Sequence, residues 1–260
     1  MNGIEFGFGA LEGEFWRLVF MMTRIGAAVV AMPLFGAAGV PPQARVILAG
    51  ALAVLVCNWT PVAAPANLLS LAGMVSVAGE VLVGLSMGFI LQMAFAAPVI
   101  GAELISGSMG MSMATAVDPN SGTQSPALGQ YFTVVTTLIF LALGAHLQFF
   151  ALLVESYSAF PPGQTWLGAE RFAAIAGFAG TMLATAVMIA LPACLVLLIV
   201  QVVTGVLSRS APSLNLFSLG LPAGVLAGIA ALIVSAPVLT DVVTDLSATA
   251  ITATGEVFRR

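Results

Sequence analysis

The sequence predicts an all-α membrane protein: about six hydrophobic helical segments arranged as kinked helical hairpins. Three observations carry that expectation. Hydrophobic residues make up 60% of the chain and charged residues only 7%, with a mean hydropathy of +1.11. Soluble domains hold roughly 25% charged residues, so this chain cannot cover its own surface, and lipid or partner subunits must do so. Six stretches approach or exceed the ~20 apolar residues that a spanning helix needs. Prolines stand between most of them, where they remove a backbone donor and disfavour helix in the preceding residue.

In chain order the stretches run Phe15 to Phe35, Val46 to Ala64, Leu68 to Ile100, Ala127 to Val154, Phe172 to Leu207 and Leu214 to Leu239. Pro41-Pro42, Pro61 to Pro65, Pro161-Pro162-Gly163 and Pro212 punctuate them. The third stretch runs on with Gly, Ser and Met past Ile100, and the fifth holds Pro192 near its middle. Kinks or re-entrant hairpins fit these two better than straight rods. No charged or Ser/Gly-rich linker divides the 260 residues, so residues 1–260 read as one domain.

Charge excludes some functions and leaves topology open. A net charge of −4 argues against a nucleic-acid partner. On a six-span layout Arg45 and Arg209 fall on one side, and Arg171, Arg259 and Arg260 on the other. The positive-inside rule therefore assigns no orientation. The N-terminus carries Glu5, Glu12 and Glu14 before any arginine. It lacks the basic start of a cleavable signal, so insertion is expected to rely on the internal helices.

Little in the chain suggests catalysis, a cofactor or a metal. His146 is the single histidine and has no cysteine or acidic neighbours to complete a ligand set. It reads as a hydrogen-bonded packing residue. Cys57 and Cys194 lie in apolar runs and read as small buried hydrophobes. Motifs for zinc proteases, serine hydrolases and phosphate loops do not occur.

Charges inside apolar runs carry more information, because burying one in lipid costs ~2.5–3.5 kcal/mol. Arg24, Glu80 and Glu103 are such residues, with Arg17 two turns before Arg24 on the same helix face. Glu80 paired with Arg24 across two helices is the favoured reading; ion or proton coupling by a small transporter through Glu80 and Glu103 is the alternative. Gly84 with Gly88, and Gly220 with Gly224 and Gly228, form flat ridges that admit a second helix, from this chain or another.

The segment Gly101 to Pro126 interrupts an apolar stretch with Gly107, Gly110 and Gly122 and the turn signal Asp118-Pro119-Asn120. Met109, Met111 and Met113 recur at a period of two, which is not the spacing of a helix face. Thioethers on a glycine-rich backbone can form a deformable apolar seal, so this segment is read as pore-lining rather than as a surface loop.

These residues carry a family resemblance. Gly110-Met111-Ser112-Met113-Ala114, then Asp118-Pro119, Gly122 and Pro126, resembles the central block of the FliR family, the flagellar members of the type III secretion export-gate subunits. Glu80 with Gly84 and Gly88, the Leu143-Gly144-Ala145-His146 region, Ser156 and Pro161 flank it in matching order. Gly205 to Phe217, with Arg209, Pro212, Asn215 and Phe217, then Gly220 and Pro222, is similar to the family's C-terminal signature. Arg24, Pro33, Pro41-Pro42 and Arg45 also fit. Met111, Ser213 and Ala145-His146 depart from the usual pattern.

The resemblance implies one copy of this subunit in a helical hetero-oligomeric assembly with FliP and FliQ. FlhB would associate with that assembly, and the FlhA export ring would adjoin it. It implies a place in the bacterial inner membrane and flagellar basal body, partly displaced to the periplasmic side, with unfolded flagellar substrates as cargo. It also implies that Gly107 to Pro126 plugs a channel. Met109, Met111 and Met113 would help close it, Gly107 and Gly110 would hinge it, and Asp118-Pro119 would form its turn. Arg209, Pro212, Asn215 and Phe217 would fix the C-terminal hairpin.

Overall fold

The computed structural model describes residues 10–37, 39–59, 68–110, 127–163, 168–210 and 216–259. Among them, seven helices run in order: α1 (Ala10–Ala31), α2 (Pro42–Trp59), α3 (Leu71–Ser108), α4 (Ala127–Ala142), α5 (Ala145–Ala159), α6 (Ala169–Ser210) and α7 (Leu216–Arg259). Pro42 opens α2 at the first helical position, where its missing N–H costs nothing.

Four helices are long and apolar enough to cross a membrane, or five if α4 and α5 form one bent span. The count is therefore lower than the six segments read from sequence. The difference has two causes. α1 carries Glu12, Glu14, Arg17 and Arg24 and falls outside the set. The stretch from Ala127 is broken at Gly144, where φ is +66° and the two helices bend by 67°. The third and fifth stretches form single helices of 38 and 42 residues containing Pro98 and Pro192, and the last helix continues well past Leu239 to Arg259.

The residues group into two compact units. The first combines residues 1–93, 144–179 and 248–260. Its core follows α1 at helical spacing: Phe20, Met21, Ile25, Ala28, Val29 and Met32 are all buried. Val83, Met87, Ile90 and Leu91 of α3 are buried too, as are Phe149, Leu153 and Tyr157 of α5. α1 and α3 approach backbone to backbone. A Cβ at Gly84 would overlap the Arg24 carbonyl oxygen, and one at Gly88 would stand 2.8 Å from that of Ala28. The first glycine ridge thus serves packing within the chain.

The second unit combines residues 94–143 and 180–247. Its centre is apolar: Ala102 and Ile105 of α3, Met109 just after it, Phe132 of α4, Ala193 and Leu197 of α6, and Ala231 of α7. Phe95 and Phe140 meet edge to face at 5.2 Å. Gly101 lets α6 approach, with the Ala186 carbonyl oxygen 3.1 Å from where a Cβ would stand.

Candidate functional site

Two places gather the residues singled out from sequence. The first is a charged cluster sealed inside the first unit. Arg24 and Glu80 are both completely buried, and Arg24 Nε donates to Glu80 Oε2 at 2.8 Å. The remaining guanidinium donors turn to the chain around the end of α5. Nη1 donates to the Ser156 carbonyl at 2.9 Å and to Ser156 Oγ at 3.1 Å, and Nη2 to the Phe160 carbonyl at 2.9 Å. The Tyr157 ring lies against the same guanidinium, 4.2 Å from centroid to Cζ.

Glu80 is held from its other side as well. Its Oε1 accepts the Gly163 N–H at 3.2 Å, and Tyr157 donates its hydroxyl to the Met21 carbonyl at 2.7 Å. A buried ion pair offsets its desolvation only when further hydrogen bonds satisfy the remaining lone pairs and protons, and here both partners have them. Arginine suits the role because its planar fork reaches several acceptors at once. Glu80, with both oxygens engaged and no exposure, has the surroundings of a structural ion pair. An ion-coupling carboxylate would need access from one side of the membrane or the other.

Sequence reasoning found the pair but not its surroundings. Ser156 enters only as a family match, nothing in the sequence singles out Tyr157, and backbone groups at Phe160 and Gly163 leave no sequence mark. Arg17, expected on the same face as Arg24, donates to the Cys57 carbonyl at 2.8 Å and pairs with Glu14 at 3.4 Å. His146 differs from its expectation. It is half-buried, but its Nδ1 is enclosed without a hydrogen-bond partner among the described residues. Among the described residues no group of three or more His, Cys, Asp or Glu could hold a metal.

The second place is the end of α3, in the second unit. Gly107 is exposed within the last turn of the helix. Met109 is 4% exposed and packs into the apolar centre, and Gly110 takes φ +81°. Met111, Met113, Asp118 and Pro119 lie outside the described residues, as do Pro212 and Asn215. Arg209 is exposed in the last turn of α6, where a cation favours the helix dipole. Phe217 begins α7, and its side chain lies outside the described residues. Glu103 is exposed on α3.

Comparison with known proteins shows the family. Residues 15–250 match the family model of bacterial export proteins, family 1. The chain is 34% identical to the flagellar biosynthetic protein FliR of Bacillus subtilis over 232 residues, 88% of each chain. It is 31% identical to that of Aquifex aeolicus over 226 residues, 86% of each. The Escherichia coli protein of the same name is 29% identical over 228 residues, 86% of this chain and 84% of its own. With the family model matched over most of the chain and relatives above 30% identical over most of their length, the chain belongs to the FliR family of bacterial export proteins.

Proposed function

We propose that this membrane protein is a core subunit of a type III protein-export gate, which passes unfolded flagellar substrates through a central channel. It would sit with FliP and FliQ, with FlhB attached and the FlhA ring adjoining, in the inner membrane at the flagellar basal body. One observation supports the assembly above all. Between Arg171 and Arg209, α6 carries no charged residue, which is roughly 55 Å of helix at ~1.5 Å per residue. Fitting that length into ~30 Å of hydrocarbon would need a tilt of about 57°, beyond the usual range of up to ~40°. Yet Val187, Leu191, Leu195, Leu198, Ile199 and Val202 are all exposed. Lipid alone cannot cover this helix, and unlike helical subunits would cover the rest.

In this reading the segment Gly107 to Pro126 closes the channel. Met109 is turned into the core, so the seal falls to Met111 and Met113, with Met109 as their footing and Gly110 as the hinge. Arg209, Pro212, Asn215 and Phe217 would hold the turn between α6 and α7. Energy for transport would come from other subunits.

Native mass spectrometry of the tagged chain, co-expressed with its genomic neighbours and extracted in detergent, tests the assembly. One copy of this chain with several copies of two other small membrane proteins is the expected result. A lone monomer or a homo-oligomer would overturn it and favour transport through Glu80. Shortening Gly107 to Pro126 should leave a folded subunit and raise ion leakage across the membrane, and unchanged leakage would remove the plug assignment.

A further inference from the structure

Three consecutive residues at the end of α3 are each held by a different device. Ser108 is the last helical residue, and its carbonyl is one of the four that a helix leaves without an internal partner. Gln201 of α6 supplies that partner, donating its side-chain amide to the Ser108 oxygen at 2.7 Å. Met109 is seated on α7. A Cβ at Gly228 would stand 2.6 Å from Met109 Cγ and 2.7 Å from its sulfur, and one at Gly224 would stand 3.1 Å from the Met109 carbonyl oxygen. Gly110 follows with φ +81°, a conformation that side chains other than glycine's rarely adopt.

Generic core packing accounts for a buried methionine, but not for this combination. An alanine at 228 facing a smaller residue at 109 would fill the same space. Instead, bare backbone on α7 accommodates a long thioether, which conforms to irregular surfaces. A side chain from α6 caps the preceding carbonyl, and the one residue free to take a left-handed turn comes next.

We propose that Gln201, Gly224 and Gly228 are positioning residues. They fix the end of α3 by capping Ser108 and seating Met109, so that the chain leaves the helix direction at Gly110 and not before it, and this seat stays in place during export. The consequence for export rests on the channel reading above; the seat itself does not.

The test uses the full chain at its native locus, with Cys57→Ala and Cys194→Ala to remove the free thiols. Met109→Cys with Gly228→Cys brings the two Cβ atoms within about 4 Å, inside the range a disulfide needs. The bond is expected to form on oxidation in membranes, and motility and flagellin release are expected to stay within about twofold of the reduced cells. A bond that forms and stops export until reductant is added would overturn the stationary seat. Failure of the bond to form in inserted chain would overturn the seat altogether.

A second pair of variants guards against a folding defect of the double cysteine chain. Gly228→Ala should lower the folded-to-unfolded ratio in detergent about tenfold, the scale of overpacking a filled site, and adding Met109→Ala should restore it. No restoration would sink the seat. Shortening the part of the Gly107 to Pro126 segment after Gly110 without added leakage, while the disulfide still forms, would instead fail the channel reading and leave the seat standing.

Discussion

The two compact units hold their helices together by opposite means. The first has a completely buried arginine and glutamate at its centre, tied to backbone groups of α5 and of the turn after it. The second has an apolar centre of alanine, leucine, isoleucine, phenylalanine and methionine. Apolar packing tolerates many arrangements of similar volume, whereas a buried guanidinium is satisfied by one. Where lipid removes much of the hydrophobic drive between helices, a charged network specifies which helices meet and in what register. The first unit draws on three separate parts of the sequence, and there such specificity matters most.

Substitutions can break this contrast. Arg24→Met should cost ~3–5 kcal/mol, because it removes the cation that faces the buried Glu80 carboxylate, and should be read as loss of folded protein in detergent. Arg24→Met with Glu80→Leu should recover most of that loss. Recovery no better than the single variant would mean that the backbone acceptors of Ser156 and Phe160, not the ion pair, dominate. In the second unit, Leu197→Ala should cost ~2–5 kcal/mol through the cavity it leaves, with no rescue from any second deletion. Thermal unfolding of both series side by side would show whether strong coupling is confined to the first unit.

Smaller effects sharpen the picture. Gly84→Ala should cost ~1–3 kcal/mol or more, since the new methyl meets the backbone of Arg24, which cannot rotate away. Gly177→Ala, with nothing within 4 Å of the added methyl, is its control and should be neutral or mildly stabilising through helix propensity. Tyr157→Phe removes the hydrogen bond to Met21 but keeps the ring against Arg24, and should cost ~1 kcal/mol. A much larger loss would show that the hydroxyl helps to hold the guanidinium in place.

Much of the first unit was legible in the sequence because charges in an apolar run are conspicuous and must find partners. Arg24 and Glu80 could be matched from the sequence, and Pro41-Pro42 marked the boundary between the first two stretches, although the second helix begins at Pro42 rather than at Val46. The break at Gly144 was not legible. LALGAHLQFF reads as continuous apolar sequence, and only backbone geometry distinguishes a bent glycine from one that continues a helix. The run of α7 to Arg259 was missed because Thr, Ala and acidic residues follow Leu239, and their helix is set by packing at Leu246, Ala250 and Phe258 rather than by a hydropathy signal. Gly224 and Gly228 were visible as a ridge, but nothing in their spacing says that Met109 is what lies on it. For the candidate channel segment, the described residues end at Gly110, so its seal rests on composition and family likeness.

Arg24 reaches across 136 residues of sequence to the Phe160 carbonyl. At ~5–20 residues per second, a ribosome needs about 7 to 27 s to make that distance. Glu80 follows 56 residues after Arg24, but the Ser156 and Phe160 acceptors are synthesised only at the end of that interval. The first unit then waits further for residues 248–260, whose Phe258 meets Phe160 at 5.8 Å. A nascent or truncated chain is therefore chemically distinguishable from a finished one. Its Arg24 has the Glu80 carboxylate within the chain but lacks the acceptors that close its remaining donors.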